Sequence, residues 1–240
     1  MTDQLSIAAR HNGPPGSANG GYTCGLLAQQ VDAEVVEVTL RSPPPLEQPL
    51  EPVADGARIE LRDGETLIAE ARPAELLLDV PEPVPMEEIE RAERDGYERW
   101  AADHPFPTCF VCGPARDPGD GLRVFPVALR GREGLFGARW IPDESLAAAD
   151  GSVRPEYVWA ALDCPTSAPV ANFGEGPAMV LGRMTARLGC SVQLGEPHSI
   201  VSWPLRHDGR KREAAAALYD SSGRFLCASK ALWIELRMPG

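Results

Sequence analysis

One short apolar helix followed by a run of strands occurs twice in this 240-residue chain, in the same order in each half, although the residues themselves do not repeat. In the first half the lead Ser17-Ala18-Asn19-Gly20-Gly21-Tyr22 opens a helix expected from about Gly20 to Gln30. Glu34 to Leu40 is a β-branched run of strand type, and Pro43-Pro44-Pro45 breaks it. Arg58 to Arg62 and Thr66 to Glu70 alternate apolar with polar residues around Asp63-Gly64, the pattern of a hairpin with one wet face. The second half opens with two strand candidates, Leu122 to Phe125 and Gly134 to Trp140. Pro155 suits the first position of the next helix, and Pro165 is expected to end or kink it close to Asp163. Strands follow at Met179 to Leu188, Ser199 to Leu205, Glu213 to Tyr219 and Phe225 to Leu236, the last three separated by turn signals at His207-Asp208-Gly209 and Asp220 to Gly223.

Pro81-Glu82-Pro83-Val84-Pro85 separates the halves, and the charged stretch from Met86 to Trp100 reads as a solvated helical crossover. The expected division is therefore a unit over 1–80, a linker over 81–120 with the acidic helix and a C-x-x-C segment, and a unit over 121–240. Two α+β units, each with a sheet face to cover, are most economically joined by pairing their sheets around their helices. The expected product is a pseudo-dimer in one chain, with Leu27 and Trp159 buried on the two helices.

The two helices differ in chemistry. Gly20-Gly21 lets a ligand approach the backbone, and a helix start leaves N–H donors free for a polarised oxygen. The second helix, Arg154-Pro155-Glu156-Tyr157-Val158-Trp159-Ala160-Ala161-Leu162-Asp163, ends an apolar run on an acid that is costly to bury without a task or a partner. One half offers an oxyanion site at the Gly21 and Tyr22 nitrogens, and the other a general base or nucleophile at Asp163. Asn19, Gly20, Cys164 and Thr166 stand beside them as substrate-binding candidates, with Thr166 or Ser167 suited to orient a water. Arg183, Arg187, Arg206 and Arg210 are the cations considered for a phosphate at the mouth.

A formal charge of −12, from 35 acidic against 23 basic residues without a basic block, argues against nucleic-acid partners and against anionic membranes. No apolar stretch approaches the roughly 20 residues that span a bilayer, and Met1-Thr2-Asp3-Gln4-Leu5 lacks the marks of a signal peptide, so a cytoplasmic location is expected. The six cysteines are Cys24, Cys109, Cys112, Cys164, Cys190 and Cys227. Only Cys109-Phe110-Val111-Cys112-Gly113 has a metal-type spacing, with His104 upstream. That segment supplies three of the four ligands zinc needs, and the expectation is a reduced, partly buried thiol pair with no metal and no cofactor.

These residues resemble the hotdog-fold acyl-CoA thioesterases in their double-hotdog arrangement, in which a curved antiparallel sheet wraps a central helix in each of two tandem units. In the single-hotdog members a Gly-Gly pair opens the central helix and supplies the oxyanion N–H, while an Asp or Glu on the facing helix works on the thioester carbonyl or on water. Asn19-Gly20-Gly21-Tyr22 matches the opening and Asp163 the acid. Two departures stand out: Asn19 occupies a position where many members have His, and Arg154-Pro155 replaces a second Gly-Gly, with Ala28 and Gln29 near the place of a second acid. The resemblance therefore implies one competent site between the units, acting on an acyl-CoA or acyl-carrier thioester. A non-catalytic acyl-binding protein is the alternative, and a hotdog hydratase or dehydratase a further one, disfavoured because neither helix contains a His. Pairing of two such chains into a homodimer is left open.

Overall fold

The structure, a computed structural model, describes residues 4–102, 104–171, 176–189 and 191–236; Cys190 and the first three residues of the N-terminal reading lie outside them. In chain order the elements are β1 (Leu5–Ser6), α1 (Gly20–Ala28), β2 (Val35–Leu40), β3 (Pro49–Asp55), β4 (Arg58–Asp63), β5 (Thr66–Pro73), α2 (Met86–Ala102), β6 (Val127–Ala128) and β7 (Phe136–Trp140). Then come α3 (Pro155–Ser167), β8 (Met179–Leu188), β9 (His198–Asp208), β10 (Lys211–Tyr219) and β11 (Phe225–Glu235).

The strands form one antiparallel sheet in the order β1-β3-β4-β5-β2-β8-β11-β10-β9-β7-β6. Each half places the strand after its helix at the centre and its three-stranded meander outward, so the order reads alike from the middle in both directions. The seam is β2 against β8, in register from Val35 opposite Arg187 to Thr39 opposite Arg183. The expected α+β pseudo-dimer is what the chain forms. The two sheets are continuous across the seam.

α1 and α3 are apolar almost all round, which requires burial between other elements, and Leu27, Trp159 and Leu162 are buried there. Each such side chain contributes roughly 1.5–3 kcal/mol relative to an exposed one. The helices run antiparallel in direct contact. A Cβ on Gly21 would lie 2.3 Å from Asp163 Cβ, and one on Gly25 2.6 Å from Glu156 Cα. Glycine at both positions is what lets the backbones come this close.

β10 is covered on both faces. Ala216 and Leu218 face the helices, while Ala215, Ala217 and Tyr219 face a second apolar layer that includes Leu76, Val84 and Ile89. That layer corrects the reading of the crossover: α2 buries Ile89, Ala92 and Trp100, and only its other face is solvated. Three strands were unexpected, β1, β3 and β6. Pro49 and Pro52 mask β3, which tolerates them because its only outer neighbour is the two-residue β1. Leu122 to Phe125 is not a strand, since Leu122 and Val124 donate their backbone N–H groups to Phe110 and Val111 of the C-x-x-C loop. Pro165 sits inside the last turn of α3, which continues to Ser167. No helix among the described residues is long and apolar enough to cross a membrane.

Candidate active site

Asn19 caps α1. Its backbone is extended, and its Oδ1 accepts the N–H of Tyr22 at 2.9 Å, satisfying one of the donors a helix start leaves open. The Gly21 N–H donates instead to Asp163 Oδ2 at 2.9 Å, and Asn19 Nδ2 donates to the same oxygen at 3.2 Å. The start of α1 is therefore aimed at the acid of α3, the polarity that favours an anion. Asp163 is buried, and its Oδ1 has no hydrogen-bond partner among the described residues. Burial raises its pKa from the ordinary carboxylate value to about 7, against the opposing pull of the Gly21 N–H and Asn19.

A cavity of about 460 Å³ opens at this junction. Asn19, Gly20 and Leu40 line it from the first half, Asp163, Cys164, Leu181 and Trp233 from the second, and His104, Cys109 and Cys112 from the connecting loop. Of the residues singled out in the sequence, Asn19, Gly20, Asp163 and Cys164 meet on one wall. Gly21 and Tyr22 stand just behind it. Their N–H groups are both engaged, by Asp163 and Asn19, and the Tyr22 ring is buried in a stack on His11 with centroids 4.1 Å apart. The helix-start nitrogen without an internal acceptor among the described residues is that of Gly20, which lines the cavity.

Thr166 is fully buried away from the cavity. Its hydroxyl donates to the Asp163 carbonyl and accepts the Trp233 indole N–H at 2.8 Å, so it braces the helix rather than meeting a ligand. Ser167 does line the cavity, with its hydroxyl turned back onto the Cys164 carbonyl at 2.7 Å. None of the four arginines proposed at the mouth lines it. Arg183 and Arg187 span the seam to Glu37 and Glu34, Arg206 pairs with Asp208, and Arg210 reaches the Glu235 carbonyl. The arginine that lines the cavity is Arg41, paired with Glu70, which the sequence did not mark because it directly follows a strand with no motif around it.

The mirror-related position between the helices is filled by side chains. Gln29 Nε2 donates to the buried Glu156 at 3.2 Å, and Arg154 lies 3.5 Å from the same carboxylate.

No protein-family model and no curated protein matches this sequence. Among solved structures the chain is similar to the tesB protein of Mycobacterium avium subsp. paratuberculosis, at 14% identity and a TM-score of 0.62, covering 97% of this chain and 91% of that one. It is likewise similar to the acyl-CoA thioesterase II TesB2 of Mycobacterium marinum, at 12% identity and a TM-score of 0.58, covering 99% and 93%. Over essentially its whole length, then, the chain has the double-hotdog fold of these TesB-type proteins.

Proposed function

We propose that the chain is a thioesterase-like hydrolase that cleaves an acyl-CoA or acyl-carrier thioester in the cavity between its two halves. The observation that supports this reading most is the buried Asp163 carboxylate with one oxygen unpaired, on the same wall as the Gly20 N–H. A buried acceptor left unpaired costs about 1–3 kcal/mol, which a bound water or substrate would recover.

In this reading the Asp163 carboxylate takes a proton from water as the water oxygen attacks the thioester carbonyl carbon. The Gly20 N–H faces the carbonyl oxygen as it becomes an oxyanion, a contribution of a few kcal/mol when the donor is preorganised in a dry site. The C–S bond then breaks, the proton passes from Asp163 to the leaving thiolate, and a carboxylic acid and a thiol result. Gly21 and Tyr22 act indirectly, through the bonds that orient Asp163 and Asn19. Direct attack by Asp163, giving an anhydride that water resolves, uses the same geometry. Arg41 is the cation placed to meet a phosphate of the carrier group.

Two internal donors on Asp163 Oδ2 favour a second reading, an acyl-binding protein in which the acid only fastens the helices. Thiol release from a panel of short, medium and aromatic acyl-CoAs separates the two. Turnover of any member supports the hydrolase. Saturable binding of the panel without thiol release supports the binding protein.

A further inference from the structure

Three thiols that the thioester chemistry does not use meet on the cavity wall. Cys109 and Cys112 come from the connecting loop and Cys164 from α3, and their sulfur atoms are buried within 4.8 Å of one another. Cys109 Sγ and Cys164 Sγ stand 3.8 Å apart. A disulfide needs about 2.05 Å, whereas ligands at about 2.3 Å from a tetrahedral zinc ion stand about 3.8 Å from each other.

The loop has the form of a metal-binding knuckle. Gly113 N donates to the Cys109 carbonyl at 2.9 Å, and a Cβ at 113 would lie 2.5 Å from Cys109 N and from the Pro107 carbonyl oxygen, so glycine closes the turn. Donors surround the sulfurs. His104 Nδ1 accepts the Phe106 N–H at 3.1 Å, which leaves the proton of the neutral ring on Nε2, 3.3 Å from Cys112 Sγ. Asn19 Nδ2 lies 3.9 Å from both Cys109 Sγ and Cys164 Sγ. N–H groups gathered around sulfur are the outer shell that a thiolate-bound metal requires. His104, with its donor proton toward Cys112, belongs to that shell and not to the ligands.

We propose that Cys109, Cys112 and Cys164 bind one zinc-class divalent cation as three thiolates, with the fourth coordination position on the cavity side. Binding releases the thiol protons to solvent and involves no change of oxidation state. The ion would tie the connecting loop to α3 one residue from Asp163, fixing the wall on which the acid stands. The spacing in sequence could not show this, because the third ligand comes from 52 residues beyond Cys112.

The test is metal analysis of the full chain as purified, with Co2+ titration of the reduced, metal-free protein. The proposal expects about one ion per chain, and thiolate-to-cobalt charge-transfer absorption that saturates at about one equivalent. Cys109→Ser and Cys164→Ser should each abolish that absorption. Cys24→Ser and Cys227→Ser, at buried thiols outside the cluster, should keep it. His104→Gln should weaken binding about 10–100-fold. The proposal is overturned if the wild-type chain shows no charge-transfer band and does not compete with a chromophoric zinc chelator, or if the band survives Cys164→Ser. It is equally overturned if thiol trapping in cells recovers a disulfide within the trio. Should the serine variants fail to fold, the wild-type spectrum and chelator competition decide alone.

Discussion

At Gly21 the central helices approach until a methyl group would sit 2.3 Å from Asp163 Cβ, with that side chain's own carbon and oxygen atoms at 2.9 and 3.0 Å. Gly21→Ala should therefore push α1 from α3 and lengthen the N–H to Oδ2 bond. The expected loss is about 1–3 kcal/mol, the usual cost of overpacking, read as a lower urea midpoint together with reduced turnover. An unchanged midpoint would show that the helices are not in close contact there. His11 carries a different kind of load. Burial, with Arg10, Arg154 and Arg116 nearby, lowers its pKa from 6.5 to about 4, so the folded chain resists the proton that the unfolded chain accepts. Stability is then full above pH 6.5 and lost as pH falls toward 4. His11→Phe, which keeps an aromatic ring against Tyr22, should flatten this part of the profile of urea midpoint against pH; an unaltered slope would assign the acid sensitivity elsewhere. Single residues were partly legible in the sequence. Asn19, Gly20 and Asp163 could be named because a glycine pair and a lone acid each break an apolar pattern. Which helix-start N–H stays open could not be named, because that depends on the side-chain directions of Asn19 and Asp163. Thr166 was misplaced for a related reason: Pro165 obscures the helical phase that turns its hydroxyl toward Trp233.

Among the elements, α2 gives the clearest measure of what patterning hides. Its charges suggest a solvated helix, yet Ile89, Ala92 and Trp100 form a stripe of the right period, and Ile89 packs where a Cβ on Gly137 of β7 would approach it to 3.0 Å. Ile89→Ala should cost roughly 2–5 kcal/mol as a buried large-to-small change, against almost nothing for the exposed Glu87→Ala. Equal thermal midpoints for the two variants would restore the solvated reading. The long strands were visible because their alternation or apolar runs exceed what a loop tolerates. β3 was hidden by its prolines, and Leu122 to Phe125 was read as a strand because its apolar residues serve another purpose, strapping the C-x-x-C loop. Gly21 and Gly25, four apart on one helix face, were a readable sign of close helix packing. The catalytic reading of the first glycine concealed the structural one.

For the whole molecule the seam between β2 and β8 explains why one chain holds both units. It brings the start of α1 to the end of α3, which neither half could do alone, and fills the mirror-related position with Gln29 and Glu156. The Arg187–Glu34 ion pair across it is exposed and worth at most about 1 kcal/mol, and the half-buried Arg183–Glu37 pair is loose at 3.8 Å. Alignment therefore rests on the paired backbones and the buried helices. The repeat of element order made this architecture legible, since two half-covered sheets have few ways to join. The cavity wall was not, because the connecting loop that completes it packs through hydrogen bonds no pattern announces. In the proposed reaction Asp163, held by the other half's helix, is the group that activates water. The most direct measurement of that role is steady-state hydrolysis of an acyl-CoA substrate by Asp163→Asn beside wild type, with the urea midpoint of each. The expected result is a fall of about a hundredfold or more in kcat, a KM close to wild type and a midpoint no lower, since a desolvated charge has been removed from the core. Equal kcat in a folded Asp163→Asn chain would contradict it.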